Sequence, residues 1–160
     1  NFSEILYHVE KPKVAAYQVE GGDEILMDAA ATSTEAVAQA PTEDPIQVLL
    51  ASADLDKGKK VFKKCSQCHV MEKGGANKIG PGLWNIVNKD IGSKDDYKYS
   101  SAMAAFEGDW TYEQLNSYLI NPKKYIQGTK MSFVGLKKAK DRANVILYLR
   151  SFSDNPAPIE

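Results

Sequence analysis

Large apolar residues recur at helical spacing in three stretches of this chain. Leu55, Gly58, Phe62 and Cys65 fall at i, i+3, i+7 and i+10, which sets them on one face of a helix. Gly58 lowers helix propensity there and fits a place where a second helix crosses at close range. Trp110 to Leu119 predicts another helix. Thr111 and Gln114 form a T-x-x-Q capping box, Leu115, Tyr118 and Leu119 form the apolar stripe, and Pro122 stops it. A third helix is expected from about Asp141 to Phe152, with Val145, Tyr148, Leu149 and Phe152 at i, i+3, i+4 and i+7. A short helix fits Ser100 to Phe106. Period-two alternation is not evident and no internal repeat is found, so the expected fold class is all-α.

The segments between these helices are long. Lys73 to Lys98 and Asn121 to Lys138 carry Gly74-Gly75, Gly80-Pro81-Gly82, Gly92, Gly128 and Gly135. Loops of that length in a small domain need something to wrap, and a large apolar cofactor would supply the missing core. Upstream the pattern fades. Residues 1–22 form a short mixed segment. Residues 23–51 are rich in Ala, Thr, Ser and acids, contain Pro41 and Pro45, and lack aromatic residues. Such a stretch cannot bury enough surface to offset its ordering entropy and is expected to be an extended or disordered linker. The domain proper is placed at 52–160. No apolar run approaches the ~18–20 residues that cross a bilayer. The best one, Ile46 to Ala53, is interrupted by Gln47 and Ser52.

Charge sharpens this division. The net charge of -1 over 160 residues hides a segregation: residues 1–51 hold two lysines against nine acids, net -7, and residues 52–160 are net +6. A basic module suited to docking on acidic surfaces, carried by an acidic tether, fits this asymmetry. Nothing resembles a recognition helix, a zinc finger or an aromatic RNA platform, so no nucleic-acid partner is expected.

The chemistry lies in Cys65-Ser66-Gln67-Cys68-His69, a C-x-x-C-H heme attachment signature. Two cysteines three apart at the end of a helix reach the two vinyl groups of one porphyrin, and the next residue sets its imidazole under the iron. Cys65 and Cys68 are the only cysteines. A thioredoxin-like C-x-x-C would need a preceding strand, which is not seen. A zinc site would need a fourth ligand, and the only other histidine, His8, lies in the tail. The other axial ligand must come from elsewhere. Of Met27, Met71, Met103 and Met131, Met71 is too close in sequence to reach the opposite heme face and Met27 is in the linker. Met131 sits in the Gly128-Thr129-Lys130-Met131 loop, where a core methionine is not normally found. His/Met ligation favours reduced iron and leaves no open position for a substrate.

From Leu55 to Phe152 the chain closely resembles the mitochondrial and alphaproteobacterial class I cytochromes c. The resemblance rests on the C-x-x-C-H, Gly80-Pro81-Gly82-Leu83, Tyr99-Ser100, Trp110, Tyr118-Leu119, Asn121-Pro122-Lys123-Lys124-Tyr125-Ile126, Gly128-Thr129-Lys130-Met131 and Tyr148-Leu149. It implies a class I cytochrome c fold around one heme c, covalent through Cys65 and Cys68, with His69 and Met131 as the iron ligands. It implies that the Pro81 carbonyl takes the other ring N–H of His69, and that Tyr118 hydrogen-bonds the Met131 sulfur. By the same resemblance Tyr99, Trp110 and Thr129 hold a propionate, Phe133 packs beside the exposed heme edge, and Gly58 and Phe62 cross the last helix at Tyr148. Lys64, Lys78, Lys123, Lys124, Lys130, Lys137 and Lys138 would ring that edge as a docking surface. Lys89 stands where the family usually has Arg near the propionates, and it lacks the bidentate fork. Met103 replaces a residue that is polar in many relatives.

The implied activity is single-electron transfer from a cytochrome bc1 complex to a heme–copper cytochrome c oxidase, by a monomer that is not an enzyme and has no small-molecule substrate. Ile5-Leu6-Tyr7-His8-Val9-Glu10, Pro12 and Tyr17 to Gly21 resemble the juxtamembrane stretch of anchored alphaproteobacterial cytochromes c. That resemblance implies a membrane anchor upstream of Asn1 and a place on the periplasmic side of the bacterial inner membrane, the alternative being the mitochondrial intermembrane space. A heme peroxidase would need an open iron position and a distal acid–base group. A four-helix c-type gas sensor would carry its C-x-x-C-H near the carboxyl end rather than at the start of the domain.

Overall fold

A computed structural model describes residues 45–159, within the compact unit formed by residues 39–160. The juxtamembrane-like segment, the linker up to residue 44, His8 and Met27 lie outside the described residues. Among the described residues six helices follow in order: α1 Ile46–Ala51, α2 Leu55–Phe62, α3 Ser101–Ala104, α4 Tyr112–Ile120, α5 Pro122–Tyr125 and α6 Ala139–Arg150. Among the described residues there is no strand, only an isolated antiparallel bridge between Asp90 and Asp109.

Helix α1 corrects the expected linker boundary. Residues 46–51 are assigned to the linker by composition, yet Ile46 and Leu50, one turn apart, are 4% and 1% exposed. They join the core where α1 packs against α4 and α6. A six-residue helix has little stability of its own, and Pro45 offers it no side-chain cap. Packing therefore makes this helix, and composition could not foresee it.

Helix α2 opens on Asp54, whose carboxylate accepts from Lys57 N at 2.9 Å, with Asp56 in the first turn and Lys59 and Lys60 in the last. That order of charges complements the helix dipole. The buried face begins at Gly58, not at Leu55, which is 48% exposed. Gly58 is where α6 crosses: a Cβ there would stand 2.8 Å from Tyr148 Cβ. Asp54 N donates to Asn144 Oδ1 at 2.8 Å, and the Phe62 and Tyr148 rings meet at 5.4 Å.

Helix α4 starts as expected, with Thr111 Oγ1 accepting from Gln114 N at 3.1 Å. The return half of the capping box does not form. Gln114 Oε1 instead accepts the Tyr125 hydroxyl, and Thr111 N donates to Asp109 O at 2.8 Å. Pro122 ends α4 and also starts α5, whose cap Asn121 accepts from Lys124 N at 3.1 Å. Leu115, Tyr118 and Leu119 face the core together with Val145, Ile146 and Leu149 of α6.

Candidate functional site

Helix α2 delivers the C-x-x-C-H to the end of its buried face. The α-helix stops at Phe62, but the turns continue. Cys65 N and Ser66 N donate to Phe62 O at 2.8 and 3.0 Å, and Cys68 N and His69 N both donate to Cys65 O at 3.0 Å. Cys65 and Cys68 thus stand one turn apart, both half-buried and neither in a disulfide. Burial pushes the Cys65 thiol up to about 11. An activated redox cysteine is an exposed thiolate with a lowered pKa, and the Cys65 thiol shifts the other way.

His69 Nδ1 lies 2.8 Å from the Pro81 carbonyl. A carbonyl only accepts, so Nδ1 carries the proton and Nε2 keeps its lone pair. Burial lowers the imidazole pKa, partly opposed by that carbonyl. Gly80 makes the approach possible, since a Cβ there would sit 2.8 Å from Nδ1 and 2.9 Å from Nε2. Asn77 holds this Gly-Pro-Gly loop in place. Its Oδ1 accepts from Gly82 N at 2.9 Å and from Lys94 Nζ at 2.8 Å, while Nδ2 donates to Asp96 O at 2.8 Å.

A second group surrounds Met131. The Tyr118 hydroxyl donates to Met131 Sδ at 3.2 Å and lies 3.4 Å from Thr129 Oγ1, which accepts from Met131 N at 3.3 Å. Burial raises the Tyr118 pKa, so the phenol keeps the proton it donates. Trp110, 7% exposed, packs its ring 4.8 Å from that of Tyr118. Met71 and Met103 are buried in the core, whereas Met131 is only half-buried. Tyr99 and Phe133 are half-buried at the margin of the same core. Tyr99 stacks edge-on against Tyr97 at 4.8 Å, and Tyr97 in turn bonds Ile79 O at 2.7 Å.

The donor set suits a covalently held heme: two thiols one turn apart, an imidazole with a free Nε2 lone pair, and a thioether polarised by a phenol. The expected docking lysines, Lys64, Lys78, Lys123, Lys124, Lys130, Lys137 and Lys138, are all exposed, and none forms an ion pair among the described residues. Lys78 Nζ donates to Ser66 O at 3.0 Å and Lys130 Nζ to Lys98 O at 2.7 Å. A polar surface groove bounded by Asp109, Thr111, Glu113, Gln114, Ser117 and Tyr125 holds none of these site residues.

Arg142 is a supporting residue that sequence reasoning missed. Only 1% exposed on α6, it donates through Nε to Asn116 Oδ1 at 2.6 Å and through Nη1 to the Leu136 and Lys137 carbonyls at 2.9 and 3.0 Å. It thereby fixes the segment that follows Met131 and Phe133. The available signal was an arginine set one turn before Val145 and Ile146 on an apolar helix.

A helical fold with long glycine-bearing loops that carries a C-x-x-C-H, an acceptor-bonded imidazole and a donor-bonded thioether has the donor set of a c-type heme protein. Residues 55–153 match the family model for cytochrome c. A cytochrome c homolog of Bradyrhizobium diazoefficiens is 42% identical over 126 residues, covering 78% of this chain and 68% of that protein. The cytochrome c of Gibberella zeae is 49% identical over 102 residues, 63% of this chain and 96% of the relative. Cytochrome cH from Methylobacterium extorquens superposes with a TM-score of 0.58 at 35% identity, over 62% of this chain and 99% of that one. This chain belongs to the cytochrome c family: an all-α electron-transfer protein, not an enzyme, with one heme c attached through Cys65 and Cys68.

Proposed function

We propose that this chain carries single electrons from a cytochrome bc1 complex to a heme–copper cytochrome c oxidase, with His69 and Met131 as the iron ligands. Its place is the periplasmic side of the bacterial inner membrane, where it works as a monomer on an N-terminal anchor. The alphaproteobacterial relatives support an extracytoplasmic place, and the charge segregation supports a basic module on an acidic tether. The observation that carries the reading is the Tyr118 hydroxyl on Met131 Sδ at 3.2 Å, set beside the Pro81 carbonyl on His69 Nδ1 at 2.8 Å.

The heme supplies the one-electron iron couple when bound. The chain's own residues do the rest. Pro81 fixes the tautomer that leaves Nε2 to the metal and raises the basicity of His69. Tyr118 withdraws charge from the thioether. Trp110, Tyr99 and Thr129 would hold a propionate, and Phe133 would cover the exposed edge. The lysine ring steers encounter with acidic partners and acts mainly on the association rate.

Met131→Ala tests the assignment. The heme stays attached through Cys65 and Cys68, the reduction potential falls, and the reduced protein binds carbon monoxide, because the thioether that favours ferrous iron is gone. A variant that keeps the native potential and the sulfur-to-iron charge-transfer band would show that another residue ligates, Met103 being the next to examine.

A further inference from the structure

The loop that holds His69 folds back on itself, and its two limbs are joined rung by rung. Gly80 N donates to Cys68 O at 2.8 Å, His69 Nδ1 to Pro81 O at 2.8 Å, and Leu83 N to Val70 O at 2.8 Å. Beyond Leu83 a residue from the far end of the chain joins the two limbs. The Asp154 carboxylate accepts from Lys73 Nζ on one limb, and from Trp84 Nε1 at 3.1 Å and Asn85 Nδ2 at 2.8 Å on the other. Asp154 N returns a bond to Asn85 Oδ1 at 2.8 Å, and the Lys73 ammonium lies 6.0 Å from the Trp84 ring centroid.

The tail that presents Asp154 is fixed on both sides of it. Phe152 O accepts from Asn85 N at 2.9 Å, and Ala157 O accepts from the Tyr112 hydroxyl at 2.9 Å and from Arg150 Nε at 2.6 Å. Asp154 is also the first residue beyond the family-matched 55–153. As an exposed ion pair, Lys73–Asp154 contributes little stability of its own. Three donors from two limbs converging on one anchored carboxylate do something else: they set the register of the limbs.

We propose that Asp154 is a positioning residue for His69: by tying residue 73 to residues 84 and 85, it keeps the Pro81 carbonyl on Nδ1 and holds the reduction potential down. This rests on His69 as an iron ligand. A well-made Nδ1–H···O bond makes the imidazole a stronger donor and favours ferric iron. Opening the limbs weakens that bond and shifts the couple toward the ferrous state.

The test uses the heme-loaded chain. Asp154→Ala raises the reduced-to-oxidised ratio at fixed ambient potential by about threefold, a modest shift because Asp154 acts on the His69 bond only through the limbs. Amide hydrogen exchange at Gly80 and Leu83 speeds up in parallel, and Asp154→Glu restores part of both. Ile146→Val, in the core of α6 away from the limbs, lowers thermal stability but leaves the ratio unchanged. The proposal is overturned by a native ratio in Asp154→Ala, or by an equal shift in Ile146→Val, which would tie the potential to stability alone. If Asp154→Ala does not hold heme, Trp84→Phe removes a single donor, and a native ratio there is equally fatal. A wild-type spectrum without low-spin histidine ligation would defeat the ligand reading itself, whereas intact ligation with an unmoved ratio defeats only the clamp.

Discussion

Leu50→Ala tests whether α1 is a structural member of the heme domain. Leu50 is 1% exposed and lies in the core beside Ile46, against α4 and α6. Truncating so completely buried a leucine removes its transfer energy and leaves a cavity, which costs about 2–5 kcal/mol. At roughly 4 °C per kcal/mol for a domain of this size, the melting temperature falls by roughly 8–20 °C. The control is on the same helix: Val48 is 59% exposed, and Val48→Ala should stay within about 0.5 kcal/mol. Thermal and guanidinium melts followed by heme absorbance read both variants. A chain starting at Ser52 should show a loss of the same order when compared with one starting at Pro45. If Leu50→Ala matches Val48→Ala, α1 contributes no packing and the reasoning from its burial is wrong.

Tyr118→Phe removes the hydrogen bond to Met131 Sδ; the freed sulfur donates more strongly, so the potential falls modestly, and potentiometry giving a rise would contradict the assigned roles. Lys124→Glu should slow electron transfer to an acidic oxidase at low ionic strength, with the difference fading as salt is added; stopped-flow rates indifferent to both changes would remove Lys124 from the docking surface. The bonds from Lys73, Trp84 and Asn85 hold the Asp154 carboxyl down to about 2, against an ordinary 3.8. Its contribution to stability is therefore full above the unfolded value and is lost as pH falls through about 2. Asp154→Asn should weaken the protein at pH 5 more than at pH 2, and equal losses at both would contradict this.

The features legible in the sequence were those written locally. The C-x-x-C-H, the Thr111 cap, the Gly58 crossing and the stripes of α4 and α6 each depend on residues within a turn or two. What escaped depends on distance. Helix α1 has no capping residue, and although Ile46 to Ala51 is a mostly apolar run, six residues are too few to show a helical period beside an acidic, Pro-flanked stretch. Gln114 fits a capping box until Tyr125, eleven positions on, competes for its oxygen. Leu55 has the right period for the α2 stripe but precedes the point where α6 arrives, and so stays exposed. Arg142 violates the expectation that arginine stays outside, because three acceptors from α4 and the loop before α6 converge on it. Asp154 meets partners 69 to 81 positions away, a separation at which local pattern carries no information.

The crossing of α2 and α6 also has a consequence in time. Asp54 bonds Asn144 across 90 positions of chain, and Gly58 has nothing to pack on until Tyr148 exists. Until the chain 90 positions further on has folded, α2 waits for its partner. Throughout that interval Cys65 and Cys68, only a few residues beyond α2, have no finished domain to bury them. The same contact that makes the completed domain compact therefore leaves a period, early in the life of each molecule, when the attachment cysteines stand open to whatever joins them to heme.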